Sequence, residues 1–311
     1  MKIKISILIL FSLFFRFSPA QNPLDKNKVL VVVLHSENQK FIDKLTRKNK
    51  LNELNNYRKL INEYNVNVKE AVSKRMKYFR LIEYKTEDEV NAYKKNELTN
   101  KYFLRHTFPV KIDQGAMNAN TGFAQSGAAY TPLPEEVNLD TTNKEENSIL
   151  EIREYQNKEE YTPVLKINLA RLFCTKAEIY FAVKRLNIMS SAAQGLLFAP
   201  PEIKKEEMLK SKTLIINADD LTKDLSELEI KKIYPYSFKI VSKPDFDKYI
   251  LSENESTVCV MILPYIGLVH FLYDTYTGEM QFGSVKAKKG SQSPSNARIT
   301  ASSFEDYLKE K

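Results

Sequence analysis

Tryptophan is absent from this 311-residue chain, and cysteine, histidine and glycine are scarce, at 2, 3 and 8 residues. Each shortage removes a class of chemistry. Two cysteines, Cys174 and Cys259, build no disulfide framework, no CxxC pair and no zinc-finger ligand set. The histidines His35, His106 and His270 stand far from one another in sequence, none at metal-ligand spacing. No glycine falls in GxGxxG or GxxxxGKS/T, the patterns that let backbone approach a phosphate, so nucleotide hydrolysis is not expected. Ser36 follows His35 directly, but no GxSxG elbow presents a serine nucleophile. After residue 20, no apolar run reaches the roughly 20 residues of a membrane span.

What is present begins with an address. Lys2 and Lys4 precede the apolar stretch Ile5 to Phe15, Arg16 closes it, and Ser18-Pro19-Ala20 puts small residues where a signal peptidase cuts. The chain is therefore expected to be exported through a signal peptide cleaved after Ala20, to the periplasm or the exterior. An exported chain can keep a disulfide, but spacing alone does not bring Cys174 and Cys259 within bonding reach. Cys259 lies inside the apolar run Val258 to Leu263 and Cys174 opens a helical pattern, so both read as small buried hydrophobes.

Apolar residues at 43% and charged residues at 28% fit a globular chain. Residues 21 to 110 carry 19 lysines and arginines against 11 acidic residues. These charges interleave with glutamate, the pattern of a solvated helix face rather than of a nucleic-acid surface. The expected partner is another envelope or secreted protein. No nucleic acid is expected, and no transmembrane span in the mature chain.

Hydrophobic periodicity predicts an α/β (or α+β) fold of two related units, each a small sheet with helices packed on it. In the first, Val29 to Leu34 reads as a buried strand, Phe41 to Tyr64 as an amphipathic helix and Val68 to Met76 as a shorter one. Tyr78 to Tyr84 reads as a strand, Thr86 with Glu89 as a capping box, and Tyr102 to Leu104 as a strand. In the second, the strands are Thr213 to Ile216, Phe238 to Val241, Val258 to Leu263, Leu268 to Tyr273 and Met280 to Phe282. Helices are expected at Leu221 to Ile233, Asp245 to Leu251 and Ser302 to Leu308, and a hairpin turns at Gly278. The matching Phe79-Arg80-Leu81-Ile82 and Phe238-Lys239-Ile240-Val241, each followed by a helix, suggest an internal duplication.

The expected layout is a signal peptide at 1–20, a first unit at 21–110, a linker at 111–147, a middle segment at 148–210 and a second unit at 211–311. The middle segment is expected to pack on the second unit, with a helix from Ile149 to Tyr155, a strand from Val164 to Leu169, a helix from Lys176 to Leu186 and a strand from Gly195 to Phe198. Within the second unit, residues 286–296 read as a mobile loop.

Candidate chemistry is thin. His35 sits where a strand ends, a place where α/β folds bind ligands, yet with no partner motif it reads as a surface residue. His270 alternates with Leu268 and Leu272 and reads as a half-buried strand residue. Asp219-Asp220 follow the first strand of the second unit; such a pair can bind a cation, and more commonly starts a solvated helix. No residue is assigned a catalytic, cofactor-binding or metal-binding role, and no cofactor is expected.

The β-α-β-α-β-β-α order of residues 211 to 311 resembles a thioredoxin-like domain, without its redox cysteine pair after the first strand. It also resembles the small α/β domain of envelope proteins of the TolB amino-terminal and curli-secretion-lipoprotein kind, whose hairpin turns through Asp-x-x-x-Gly as Asp274 to Gly278 do here. The second resemblance implies a role in assembly or scaffolding. The expected function is thus a non-catalytic binding or assembly module of the envelope. The alternatives are a hydrolase or other enzyme with a site at strand ends, using His35 and Asp219, and a redox-inactive thioredoxin-like protein.

Overall fold

The computed structural model describes residues 24–107, 148–156, 160–169, 174–191, 204–265, 267–285 and 298–309. The signal peptide, the 111–147 linker, the strand expected at 195–198 and the loop at 286–296 lie outside the described residues.

Among the described residues, ten strands form two five-stranded mixed sheets with helices on them, an α+β architecture. The first unit runs β1 (Val29–Leu34), α1 (Gln39–Arg47), α2 (Leu51–Arg75), β2 (Ile82–Thr86), α3 (Glu87–Asn91), α4 (Lys95–Leu98), β3 (Lys101–Thr107), β4 (Ser148–Gln156), β5 (Glu160–Leu169) and α5 (Lys176–Ser191). The second runs α6 (Lys205–Ser211), β6 (Thr213–Asn217), a 3₁₀ turn (Ala218–Asp220), α7 (Glu227–Ile233), β7 (Phe238–Val241), α8 (Lys243–Ser252), β8 (Thr257–Tyr265), β9 (Gly267–Asp274), β10 (Met280–Val285) and α9 (Ala301–Leu308).

The sheet orders are β2-β1-β3-β4-β5 and, read in the same sense, β7-β6-β8-β9-β10. In both, the first strand lies parallel between the second and third, and the last two strands are antiparallel. Equivalence extends to single bonds. Leu30 N–H donates to Leu81 O and Leu214 N–H to Ser237 O, both at 2.9 Å. Lys28, just before β1, meets Glu154 on β4 at 2.6 Å, and Lys212, just before β6, meets Asp274 on β9 at 2.6 Å. These paired features make the two units copies of one design.

The copies are joined head to tail. α2 and α5 cover the Leu30 and Val32 face of the first sheet, and α8 covers the Ile215 and Cys259 face of the second; all of these enter one apolar core. α5 is the wedge: Phe181 meets the Tyr273 ring edge-on at 4.9 Å, and the buried Arg185 guanidinium donates to Gly278 O at 2.8 Å. Burial pushes Arg185 down to about 10. Gly278 has φ +79°, and a Cβ there would come within 2.8 Å of Ile188 and Lys184 on α5, so both turn and docking call for glycine. The faces away from this core carry separate clusters, Val31, Val33 and Phe103 with Val90 in one, Leu214 and Ile216 with Ile230, Phe304 and Tyr307 in the other.

The middle segment corrects the expected layout. Residues 148–169 hydrogen-bond to β3 and complete the first sheet, while α5 contacts both units. Ile149 to Tyr155 is strand, not helix: Leu150 and Ile152 enter the shared core, while Glu151 and Arg153 are buried on the other face as an ion pair at 2.7 Å. Burial on both faces hides the period of two. The helix expected over Phe41 to Tyr64 is broken at Asn49, in the left-handed region at φ 51°, and the second piece runs on through Val68 to Arg75. The strand expected from Tyr78 starts only at Ile82, because Asn187 of α5 accepts from Lys77 and Tyr78 N–H at 2.7 and 2.8 Å and holds that stretch as a turn. The helix expected from Leu221 starts at Glu227, behind a Ser226–Glu229 capping box, and Leu221 instead bridges Ile299. The strand expected over Met280 to Phe282 runs on to Val285 and forms the antiparallel edge of the second sheet. The Thr86–Glu89 capping box is present as expected.

Candidate functional site

In α/β sheets, ligands bind at the carboxyl ends of parallel strands. At that end of the first sheet, β1 runs out at His35, and Asn65 of α2 grips its backbone twice: His35 N–H donates to Asn65 Oδ1 and Asn65 Nδ2 donates to His35 O, both at 2.9 Å. The neighbouring strand β3 delivers His106 on the same face as Tyr102 and Leu104. Cys174 precedes Thr175, which exchanges reciprocal capping bonds with Glu178 at the start of α5.

These three side chains form a line. His35 Nε2 lies 3.0 Å from His106 Nδ1, and His106 Nε2 lies 3.9 Å from Cys174 Sγ. Tyr64 stacks on His106 with ring centroids 4.8 Å apart and planes 16° apart, and lies 4.3 Å from the His35 ring. Ser148 Oγ stands 3.5 Å from the same sulfur. His35, Tyr64, His106 and Cys174, with Leu60, Glu63, Asn67 and Lys176, line a recess of about 120 Å³. Burial pushes His35 down to about 4; burial first and the His35 ring second push His106 well below 6.5. Two neutral imidazoles sharing one proton leave His106 Nε2 either accepting from the thiol or donating to it. The line is a chain of hydrogen-bonded side chains ending on sulfur.

His106 stands between His35 and Cys174, so the three do not converge on a point. Among the described residues no group of three or more His, Cys, Asp or Glu side chains is placed to hold a metal ion.

The second unit has a recess between the equivalent helices, α7 and the start of α9, of about 590 Å³, which Asp219, Ile262 and Ile299 do not line. Its lining is Thr222, Asp224, Glu229, Lys232, Thr300 and Ser302 with a few apolar side chains. The registers Val29↔Lys101 and Thr213↔Thr257 make Asp219 the counterpart of His35 and Ile262 the counterpart of His106. Counting back from Thr175 and Thr300 makes Ile299 the counterpart of Cys174. The fold is duplicated; the line of His35, His106 and Cys174 is not.

The histidines therefore do not stand apart as their spacing suggested: His35 and His106 touch, because β1 and β3 are neighbours. His35 is half-buried rather than a surface residue, and Cys174 is half-buried at the recess. His270 is fully buried and bonds Tyr307 Oη at 2.9 Å. Asp219 is exposed on the 3₁₀ turn, where Asn217 caps its N–H at 3.3 Å, in a different unit from His35. No disulfide joins Cys174 to Cys259, which is buried in β8. Sequence reasoning missed Cys174 and His106 as site residues, although both lie at element ends on the edge where ligands bind. Among the described residues no helix is long and apolar enough to cross a membrane. The chain matches no family model, no curated protein and no solved structure.

Proposed function

We propose that this chain is an exported, non-catalytic binding module of the cell envelope that holds another envelope or secreted protein through its strand-end recesses. The observation that carries this reading is the duplication itself: both copies keep the recess between crossover helix and last helix, while the residues lining it differ. A recess between equivalent helices, changed in size and lining from one unit to the other, suits two contacts of different specificity. The larger recess, with acidic, basic and hydroxyl groups side by side, is the main contact.

The test is a crosslinking pull-down of tagged residues 21–311 from the native envelope, run beside Lys232→Glu in the second recess and Lys59→Glu on the exposed face of α2. One stoichiometric protein partner, lost with Lys232→Glu and kept with Lys59→Glu, is the expected result. Equal capture by both variants removes the recess from the interface, and no partner at all overturns the binding reading.

One observation favours an enzyme instead, the Cys174–His106–His35 line, which has the order of nucleophile, base and orienting group. A hydrolase of this kind turns over activated esters and loses that turnover with Cys174→Ser; His35→Ala and Asp219→Ala together test the pair that the sequence suggested.

A further inference from the structure

The hydrogen-bonded line belongs to one copy only. At the equivalent places the second unit has Ile262, and Ile299 buried at 0% exposure, so the fold is built equally well without a thiol or imidazoles there. The three side chains of the first copy thus answer to chemistry rather than to packing. We propose that Cys174 is a peroxide-reactive thiol, with His106 as its proton acceptor and His35 as the group that holds His106 in place.

Size selects the reactant. A recess of about 120 Å³ is smaller than the roughly 300 Å³ at which sites for drug-sized ligands start. A molecule as small as hydrogen peroxide fits beside the sulfur. Position favours the thiolate, since Cys174 lies just ahead of the first turn of a 16-residue helix, where the macrodipole stabilises negative charge. His106 Nε2, 3.9 Å from Sγ, is placed to take the thiol proton.

The step balances without another reactant. The sulfur attacks one peroxide oxygen, an S–O bond forms and the O–O bond breaks. Sulfur is oxidised by two electrons and the peroxide is reduced. The thiol proton passes to His106 and on to the departing hydroxide, so thiol and peroxide become sulfenic acid and water. Cys259, the only other cysteine, is buried in β8, and burial pushes its thiol far up, which makes it an internal control. The modification is stoichiometric, a mark of oxidant exposure rather than a turnover.

The test treats the full-length mature chain with hydrogen peroxide, traps sulfenic acid with dimedone and maps the adduct by mass spectrometry as a function of pH. The expected result is an adduct on Cys174 and none on Cys259 in the native protein. Labelling runs at least tenfold faster than for glutathione, and His106→Gln slows it at least tenfold. Because His106 is buried, His35→Asn at a half-buried position is the second variant, and far-UV circular dichroism and Tm report whether each folds. In folded His35→Asn the rate falls and its dependence on pH shifts toward that of a simple thiol. Reaction of Cys174 at the rate of glutathione, or an unchanged rate and pH profile in folded His35→Asn, overturns the proposal.

Discussion

Burial pushes His35 down to about 4, and burial with the neighbouring His35 ring pushes His106 well below 6.5, the value of a free imidazole. Between those values the unfolded chain binds protons that the folded one does not, so stability rises with pH across that window. It is fully present above about pH 6.5 and is lost as pH falls toward 4, at up to about 1.4 kcal/mol per pH unit for each histidine. Thermal unfolding followed from pH 7.5 to 4.5 should show Tm falling steeply below 6.5, and His35→Asn should flatten the slope. Nothing in the neighbourhood of His35 or His106 in the chain announces this. They are 71 residues apart, and only the adjacency of β1 and β3 removes both rings from water together.

The same ion pair occurs twice among the elements at different depths, which makes a controlled comparison. Lys28 and Glu154 remain 20% and 31% exposed, whereas Lys212 and Asp274 are 12% and 2% exposed. Exposed pairs contribute roughly 0–1 kcal/mol, while removing one partner of a buried pair costs roughly 3–5 kcal/mol. Asp274 also accepts from Tyr276 and Thr277 N–H at 2.9 and 3.1 Å, which offsets part of the loss. Lys212→Met should therefore cost about 2–3 kcal/mol in urea unfolding and Lys28→Met less than about 1 kcal/mol. The elements themselves were largely legible, since strands such as Val29–Leu34 and Thr257–Tyr265 and the helix Lys243–Ser252 follow from apolar runs and N-terminal signals. β4 was not, because Glu151 and Arg153 satisfy each other inside the sheet and break the alternation that marks a strand.

In the whole molecule, α5 ties one copy to the other. Phe181, Leu186 and Arg185 belong by connectivity to the first unit and are buried partly against the second. Arg75 of α2 and Lys184 of α5 both pair with Glu253 at the end of α8, the latter at 2.7 Å. Phe181→Ala removes a fully buried ring, a change that typically costs about 3–5 kcal/mol. Because the core is shared, it should lower the urea midpoint of both units together, in one transition by circular dichroism and tyrosine fluorescence. Separate transitions with only one shifted would mean that the copies fold independently. The sequence by itself determined most local elements, the Thr86–Glu89 capping box and the turn at Gly278, because these depend on periodicity and on bonds between near neighbours; the repeat it suggested is present, but with Phe238 matching Ile82 rather than Phe79. Only the tertiary structure decided which strands are neighbours, and hence that β4 and β5 belong to the first sheet, that α5 serves both copies, and that His35, His106 and Cys174 share one recess. Sheet order is set by packing between distant segments, and no local pattern encodes it.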